Sequence, residues 1–343
     1  MEILPKNLGT RPRLAVEVRP EGIVAARAED ATALLAATAD HSLPEGAFVP
    51  GLKAGFFADS HRVIAGLRET LDAISSRGER VRYVTLIVPD ASTRVLLLEF
   101  DELPAKAAEA LPIVRFRLKK LVPFDAEHAM VSYQVMSNAN RTVRVLAVAM
   151  PSEVLAEYES AISAAGYMTG AILPSTLAAL AAIHEQVDPV LLVNACRDSI
   201  TTAIVREGTL ILHRALELYN ETPEPVAVPA MYGSEGAEGM DRIEAEMRIE
   251  SEVLESSARE HMDAREIVQS VSVAAAYFED TLGVTPREAI SAGTLGSDNL
   301  SALLNSNGME ELTVREAVGI DALAAGTRVP RSWLAGVRGA LRN

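Results

Sequence analysis

Cys196 is the only thiol in the chain, and His41, His61, His128, His184, His213 and His261 are its only imidazoles. No two of these histidines stand at H-x-x-x-H or H-E-x-x-H spacing, so zinc chemistry lacks a ligand set. A single cysteine excludes an intramolecular disulfide framework and a cysteine-only structural zinc site. No nucleophile motif places a histidine beside Cys196, which therefore reads as a structural thiol. G-x-S-x-G, Walker A and G-x-G-x-x-G motifs do not occur in the sequence. Gly293-Thr294-Leu295-Gly296 is too short for a dinucleotide fingerprint and reads as a turn. His213-Arg214 ends a strand pattern and reads as a solvated strand end beside a cleft.

Charge narrows the partner classes. Lys and Arg number 32 against 47 Asp and Glu, a formal net charge of −15. That balance opposes nucleic-acid binding, which needs many cations on phosphates. Arg115, Arg117, Lys119 and Lys120 form a basic cluster. A solvated helix face is its plain reading, with anionic lipid or an acidic partner as the functional one. Between 235 and 266 eleven acids face four arginines, which describes a solvated helical surface. In the tail from Arg331 to Asn343, Trp333, Leu334, Val337 and Leu341 share one helical stripe. Docking on the second lobe is expected for this tail, ahead of lying on a membrane surface.

The elements that must position these residues follow from periodicity. The 343 residues suit two domains or one bilobed unit, and 49% hydrophobic residues suffice for a packed interior. The opening MEILPKNLGTRPRL lacks an apolar h-region, and no run reaches the length of a membrane span, so a cytoplasmic protein is expected. Alternation over 14–28 around Pro20-Glu21-Gly22 predicts a hairpin, and 29–60 reads as loops. Helices are expected at 61–77, 104–122, 152–165 and 175–186, with Gly78 as a C-cap and Ser152 as a capping residue. Strands are expected at 83–88, 95–100, 130–136, 143–150, 168–173, 190–195, 200–205 and 209–216. Residues 217–239 read as a long loop, and 241–262 and 264–283 as long helices. A short strand at 287–291, a helix at 298–305 and helical segments at 315–326 and 332–341 close the chain. Both halves open with strand, hairpin turn and strand, a repeat of element order. Such a bilobed α/β arrangement presents strand ends and helix N-termini at an inter-lobe cleft, the default ligand site.

Particular residues then carry a resemblance. Leu118-Lys119-Lys120-Leu121-Val122-Pro123-Phe124-Asp125 followed by Tyr133-Gln134-Val135, the stretch Val145 to Ala179, Glu266 to Ser270, and Ala289 to Gly293 occur in order. In that order and spacing they resemble the type IV pilus assembly protein PilM family, within the actin-like ATPase superfamily. The likeness runs from about residue 14 to about 326. It implies a bilobed actin-like (ribonuclease H-like) α/β fold with a pilus-specific inserted subdomain. Residues 1–175 would form the first lobe, with the insert at about 80–150. Residues 176–343 would form the second, with a helical insertion at about 241–283.

The resemblance implies nucleotide-handling positions, and this chain departs at them. In the first phosphate loop Glu17 stands for the family's Asp, Arg19 for its Gly and Val24 for its Lys, with Gly22 in the turn. A Gly there lets backbone N–H groups approach a phosphate; Arg19 removes that freedom but brings a guanidinium. In the second loop Asn194 and Cys196 replace Asp and Gly, with Ser199 or Thr201 as the hydroxyl. A neutral Asn194 holds Mg²⁺ less well than a carboxylate. The adenosine side reads Ala292-Gly293-Thr294, with Gly296 beyond.

The family likeness therefore implies a cytoplasmic scaffold of the pilus inner-membrane platform with a degenerate nucleotide site. No catalytic residue is assigned, and ATP and Mg²⁺ are the only cofactors it suggests. Its partner would be the cytoplasmic N-terminal peptide of a PilN-like membrane protein, which would hold the chain at the inner membrane; self-association is compatible. The peptide groove is expected near 83–100 and 104–122, with Phe100, Leu103, Leu111, Val114 and Phe124 as contacts or else as core. The rival is an active Mg-ATP-binding ATPase of the same fold. An actin-like metabolite kinase ranks behind both, because no catalytic carboxylate stands out.

Overall fold

A computed structural model describes residues 12–29, 33–75, 82–139, 141–183, 189–218 and 264–342. The first sheet opens with β1 (Leu14–Arg19), β2 (Gly22–Ala28) and β3 (Leu35–Ser42), an antiparallel meander. Helix α1 (Ser60–Ile74) follows, started by the Asp59 carboxylate accepting from the Arg62 N–H at 3.1 Å. Its Val63, Leu67, Leu71 and Ile74 fall on one buried stripe. β4 (Tyr83–Val88) then adds parallel to β1; its continuous apolar run suits a strand covered on both faces. β8 (Met168–Pro174) completes the order β3-β2-β1-β4-β8.

Between β4 and β8 the chain builds a separate three-stranded sheet. It contains β5 (Arg94–Phe100), β6 (Ala129–Ala139) and β7 (Thr142–Pro151) in the order β5-β7-β6, with α2 (Ala107–Leu118) packed on one face. Pro112 lies inside α2. Helix α3 (Ser152–Ala164) returns the chain to β8, and α4 (Ser175–Ala182) leaves it.

The second sheet repeats the first. β9 (Val190–Ala195), β10 (Ser199–Arg206) and β11 (Thr209–Glu217) form the meander. A helix over 264–282, α5, leads to β12 (Glu288–Ala292), and α6 (Ser297–Asn305) leads to β13 (Thr313–Glu316). The order β11-β10-β9-β12-β13 matches the first sheet strand for strand, with the last two parallel. The closing helix α7 (Ala335–Leu341) packs on α4 and on β1, β2 and β4.

Period-two alternation divides each first strand between two cores. Leu14, Val16 and Val18 face α1 and α3, while Ala15 joins the core shared with α4 and α7. Leu191, Val193 and Ala195 face α5 and α6, while Val190 and Leu192 join the shared core.

Four local expectations change. Residues 35–42 form an edge strand rather than loop, because alanines of low strand propensity are carried by pairing with β2. Residues 313–316 form a strand and 320–322 a short 3₁₀ turn, where a helix was expected from 315. Ser152 does not cap α3; its hydroxyl donates to the His128 carbonyl. The tail is a docked helix, preceded by a 3₁₀ turn at 331–334; it packs chiefly on α4, and beyond the expected second-lobe seat it also lies against β1, β2 and β4 of the first sheet. Gly78 and the segment 219–263 lie outside the described residues.

Candidate inter-lobe site

Alternation in β1 aims Glu17 and Arg19 at the space between the sheets. Glu17 is fully buried and Arg19 is 2% exposed. The Arg19 guanidinium Nη2 lies 2.8 Å from Glu17 Oε1. At the matching place on β9 stands Asn194, also buried. The two meet at the N-terminus of α4. The Ser175 hydroxyl donates to Glu17 Oε1 at 2.6 Å and accepts from Asn194 Nδ2 at 3.0 Å. Asn194 Nδ2 also donates to Thr176 Oγ1 at 2.9 Å. Thr176 in turn donates its hydroxyl and its backbone N–H to Asp90, in the 3₁₀ turn after β4. His213 Nε2 of β11 lies 4.0 Å from Asp90 Oδ1. A continuous polar chain thus runs from Glu17 to Asp90 through the first turn of α4, where helix N–H groups favour carboxylates.

The electrostatics of this chain are internal. Burial raises the Glu17 carboxyl above the usual carboxylate range, and Arg19 and the Ser175 hydroxyl pull it back. Burial holds His213 low, hence neutral at pH 7, against the pull of Asp90. Glu17 Oε2 is buried without a hydrogen-bond partner and faces Gly336 of α7, where a Cβ would collide with it. The space left beside Arg19, Asp90, Ser175, Asn194, Cys196, Ser199 and Thr201 is about 10 Å³, one water molecule's worth at most.

A second contact crosses between the lobes. Glu21, in the β1–β2 turn, accepts from the Arg197 N–H at 2.7 Å and from the Thr294 hydroxyl. The loop holding Thr294 lies directly on the end of β9. Gly293 adopts φ +91°, and any Cβ there would strike the Ala195 carbonyl. Cys196 sits beneath this contact; burial pushes its thiol up to about 12, so it is no thiolate at neutral pH. Asp198 is pushed up to about 6, first by burial and then by the nearby Glu21. Outside the contact a cavity of about 730 Å³ opens, lined by Glu21, Arg197, Thr294, Leu295, Asn299 and Trp333 among others.

The structure brings Glu17, Arg19, Asn194, Cys196, Ser199 and Thr201 to one place, with Gly293 and Thr294 at its edge. Gly22 pairs with Arg19 in the hairpin and underlies Trp333. Gly296 caps α6 at a distance from Glu17 and Asn194, beside Ser332 and Glu316. Glu21, Asp90, Ser175, Thr176 and His213 share the cleft and carry no motif; His213 is buried there rather than solvated. Contacts such as Ser175 to Glu17 span 158 residues, so no local pattern announces them. Of the groove candidates, Val114 is wholly buried in the core under α2. Phe100, Leu103, Leu111 and Phe124 pack half-buried against that core. Among the described residues no group of three His, Cys, Asp or Glu could hold a metal ion. No described helix is long and apolar enough to cross a membrane.

No protein-family model and no curated protein matches the chain. Solved structures do. The structure described as the PilM–PilN type IV pilus biogenesis complex aligns with TM-score 0.69 at 18% identity, over 96% of this chain and 98% of that one. The ethanolamine utilization protein EutJ from Carboxydothermus hydrogenoformans aligns with TM-score 0.45 at 11% identity, over 98% and 92%. A Bacteroides thetaiotaomicron protein with an actin-like ATPase fold aligns with TM-score 0.47 at 10% identity, over 90% and 93%. Only the first of these carries weight, and at its identity it speaks for the fold. With the strand order 3-2-1-4-5 built twice around one cleft, and a three-stranded insert before the fifth strand of the first sheet, this chain has the bilobed actin-like α/β fold in the form shared with the PilM–PilN structure.

Proposed function

We propose that the chain is a scaffold of a type IV pilus inner-membrane platform, working in the cytoplasm with a nucleotide site that has degenerated. The observation that carries this reading is the filling of the cleft, in a chain that aligns over almost its whole length with the PilM–PilN structure. Where a phosphate and its Mg²⁺ would need room and free carboxylates, Arg19 is paired with Glu17 and Asn194 is spent on Ser175 and Thr176. The Glu21 carboxylate takes the backbone N–H and hydroxyl donors of the second-lobe loops. These residues do not fit a Mg²⁺–triphosphate group. Residues 1–175 and 176–343 are taken as the two lobes, with the partner site on the insert at about 80–150 and the helical insertion at about 241–283.

The partner on this reading is the cytoplasmic N-terminal peptide of a PilN-like membrane protein, which would hold the chain at the inner membrane. Calorimetry on the full chain tests both halves. Mg-ATP at millimolar concentration is expected to give neither heat nor a rise in melting temperature. A ligand at 100-fold over its Kd would add about 2.7 kcal/mol. A synthetic peptide of that N-terminus is expected to bind. Micromolar ATP binding, or failure of the peptide, overturns the respective half.

The cavity of about 730 Å³ beside Thr294 and Leu295 favours the second reading, a Mg-ATP-binding ATPase. On that reading a nucleoside would sit there and Glu21 would have to swing away.

A further inference from the structure

From Ile113 to Leu121 the chain reads IVRFRLKKL, with four cations and no acid in a protein of formal net charge −15. Two of these cations are engaged. Arg115 Nη1 donates to the carbonyls of Ala126, Glu127 and Ala129, and Lys119 Nζ lies 2.8 Å from Glu127. The other two, Arg117 and Lys120, are exposed, and their side chains have no hydrogen bond or ion pair among the described residues. Around them Phe116 is 70% exposed, Leu121 50% and Ile113 40%. Ile113, Phe116, Arg117 and Lys120 stand at i, i+3, i+4 and i+7, which is one face of α2 and the turn after it. Ala110, Val114 and Leu118, on the adjoining side of the helix, are buried in the core.

Exposed aromatic and aliphatic side chains flanked by free cations are the make-up of a helix that lies in a lipid interface. Charge selects this occupant. The same face of a second copy carries the same cations, so symmetric face-to-face pairing repels. The nearby acids are already paired: Glu109 with Lys106, Glu127 with Lys119 and Asp125 with His128. We propose that Ile113, Phe116, Arg117, Lys120 and Leu121 dock on an anionic lipid surface. The apolar groups enter the headgroup boundary and the two cations meet the lipid anions. A single patch of this size gives reversible attachment, which a membrane-bound partner would make stable. The inference rests on the α2 face alone and does not need the pilus reading.

The test is co-sedimentation of the full chain with phosphatidylcholine vesicles, with and without phosphatidylglycerol. Binding is expected only with the anionic lipid and is expected to fall with salt. Arg117→Gln with Lys120→Gln should lower partitioning roughly tenfold or more. Phe116→Ser should lower it comparably while leaving the melting temperature unchanged, because its ring is outside the core. Equal binding to both vesicles, indifference to these substitutions, or no binding overturns the proposal. So does self-association at micromolar concentration that Phe116→Ser abolishes without any vesicle binding, since the face would then be an interface between copies.

Discussion

Glu21 and Thr294 join the two lobes: a carboxylate in the first hairpin turn accepts the hydroxyl proton of a residue 273 positions later. The same Oε1 accepts the Arg197 N–H at 2.7 Å. Both donors belong to second-lobe loops, at the ends of β9 and β12. The Glu21 carboxylate thus ties the first hairpin turn to both loops. Glu21→Ala is expected to cost about 2 kcal/mol in urea denaturation, because two donors lose a charged acceptor. Amide exchange at Arg197 should accelerate, and Glu21→Gln should recover part of both effects. Unchanged exchange at that amide would mean the contact does not hold the lobes together.

Arg19 and Glu17 form a buried ion pair at 2.8 Å. Arg19→Met leaves a carboxylate in a dry site, at a cost of about 3–5 kcal/mol. Burial raises the Glu17 carboxyl, so its contribution is present at low pH and is lost as pH rises. With the cation gone, the variant's deficit should therefore grow from acid to neutral pH. Glu17→Gln combined with Arg19→Met should recover most of the loss. A double variant no better than the single would show that the pair is not coupled.

Burial, and after it the nearby Glu21, pushes the Asp198 carboxyl up to about 6. Its folded pKa is raised, so its stabilising contribution is full below 3.8 and is lost as pH rises through 6. Asp198→Asn should raise stability at pH 7 by about 1–2 kcal/mol, allowing for partial exposure, with the gain fading towards pH 4. Chemical denaturation at a series of pH values measures it. A gain that is constant with pH would assign the effect to something other than ionisation.

Gly336 lets α7 approach Glu17 without a Cβ between them. Gly336→Ala forces that helix away from the first sheet and should cost about 1–3 kcal/mol by overpacking, despite alanine's better helix propensity. A thermal melt decides, and a stabilised variant would show that the helix has room to move.

Much of the scaffold was readable before the structure. The runs YVTLIV and VLLVNA announced the central strands, and the close-set strands at 200–205 and 209–216 announced the second hairpin. The duplicated element order implied two like lobes. Strand β3 escaped because Ala37 and Ala39 have little strand preference of their own, and its pairing with β2 decides the matter. A helix expected to run to 122 would put Leu121, at i+7 from Val114 and i+3 from Leu118, on their buried side. Yet Leu121 lies beyond the helix, where the 3.6-residue period no longer applies.

At the cleft the division is sharper. Sequence alone determined that the chain is acidic with one thiol, while the expectation that Glu17, Arg19, Asn194 and Cys196 mark phosphate-loop positions came from the family resemblance. Sequence also determined the alternation that puts Glu17 and Asn194 on the inward face of their strands, because a strand's period is a local property. Only the tertiary structure decided what those side chains do. Ser175 lies 158 residues from Glu17 and 19 from Asn194, yet it bonds to both. Glu21 finds Thr294 only once two sheets close on each other. Partners so far apart in the chain share no periodicity, and burial obliges each polar group to find whichever one the fold brings within reach.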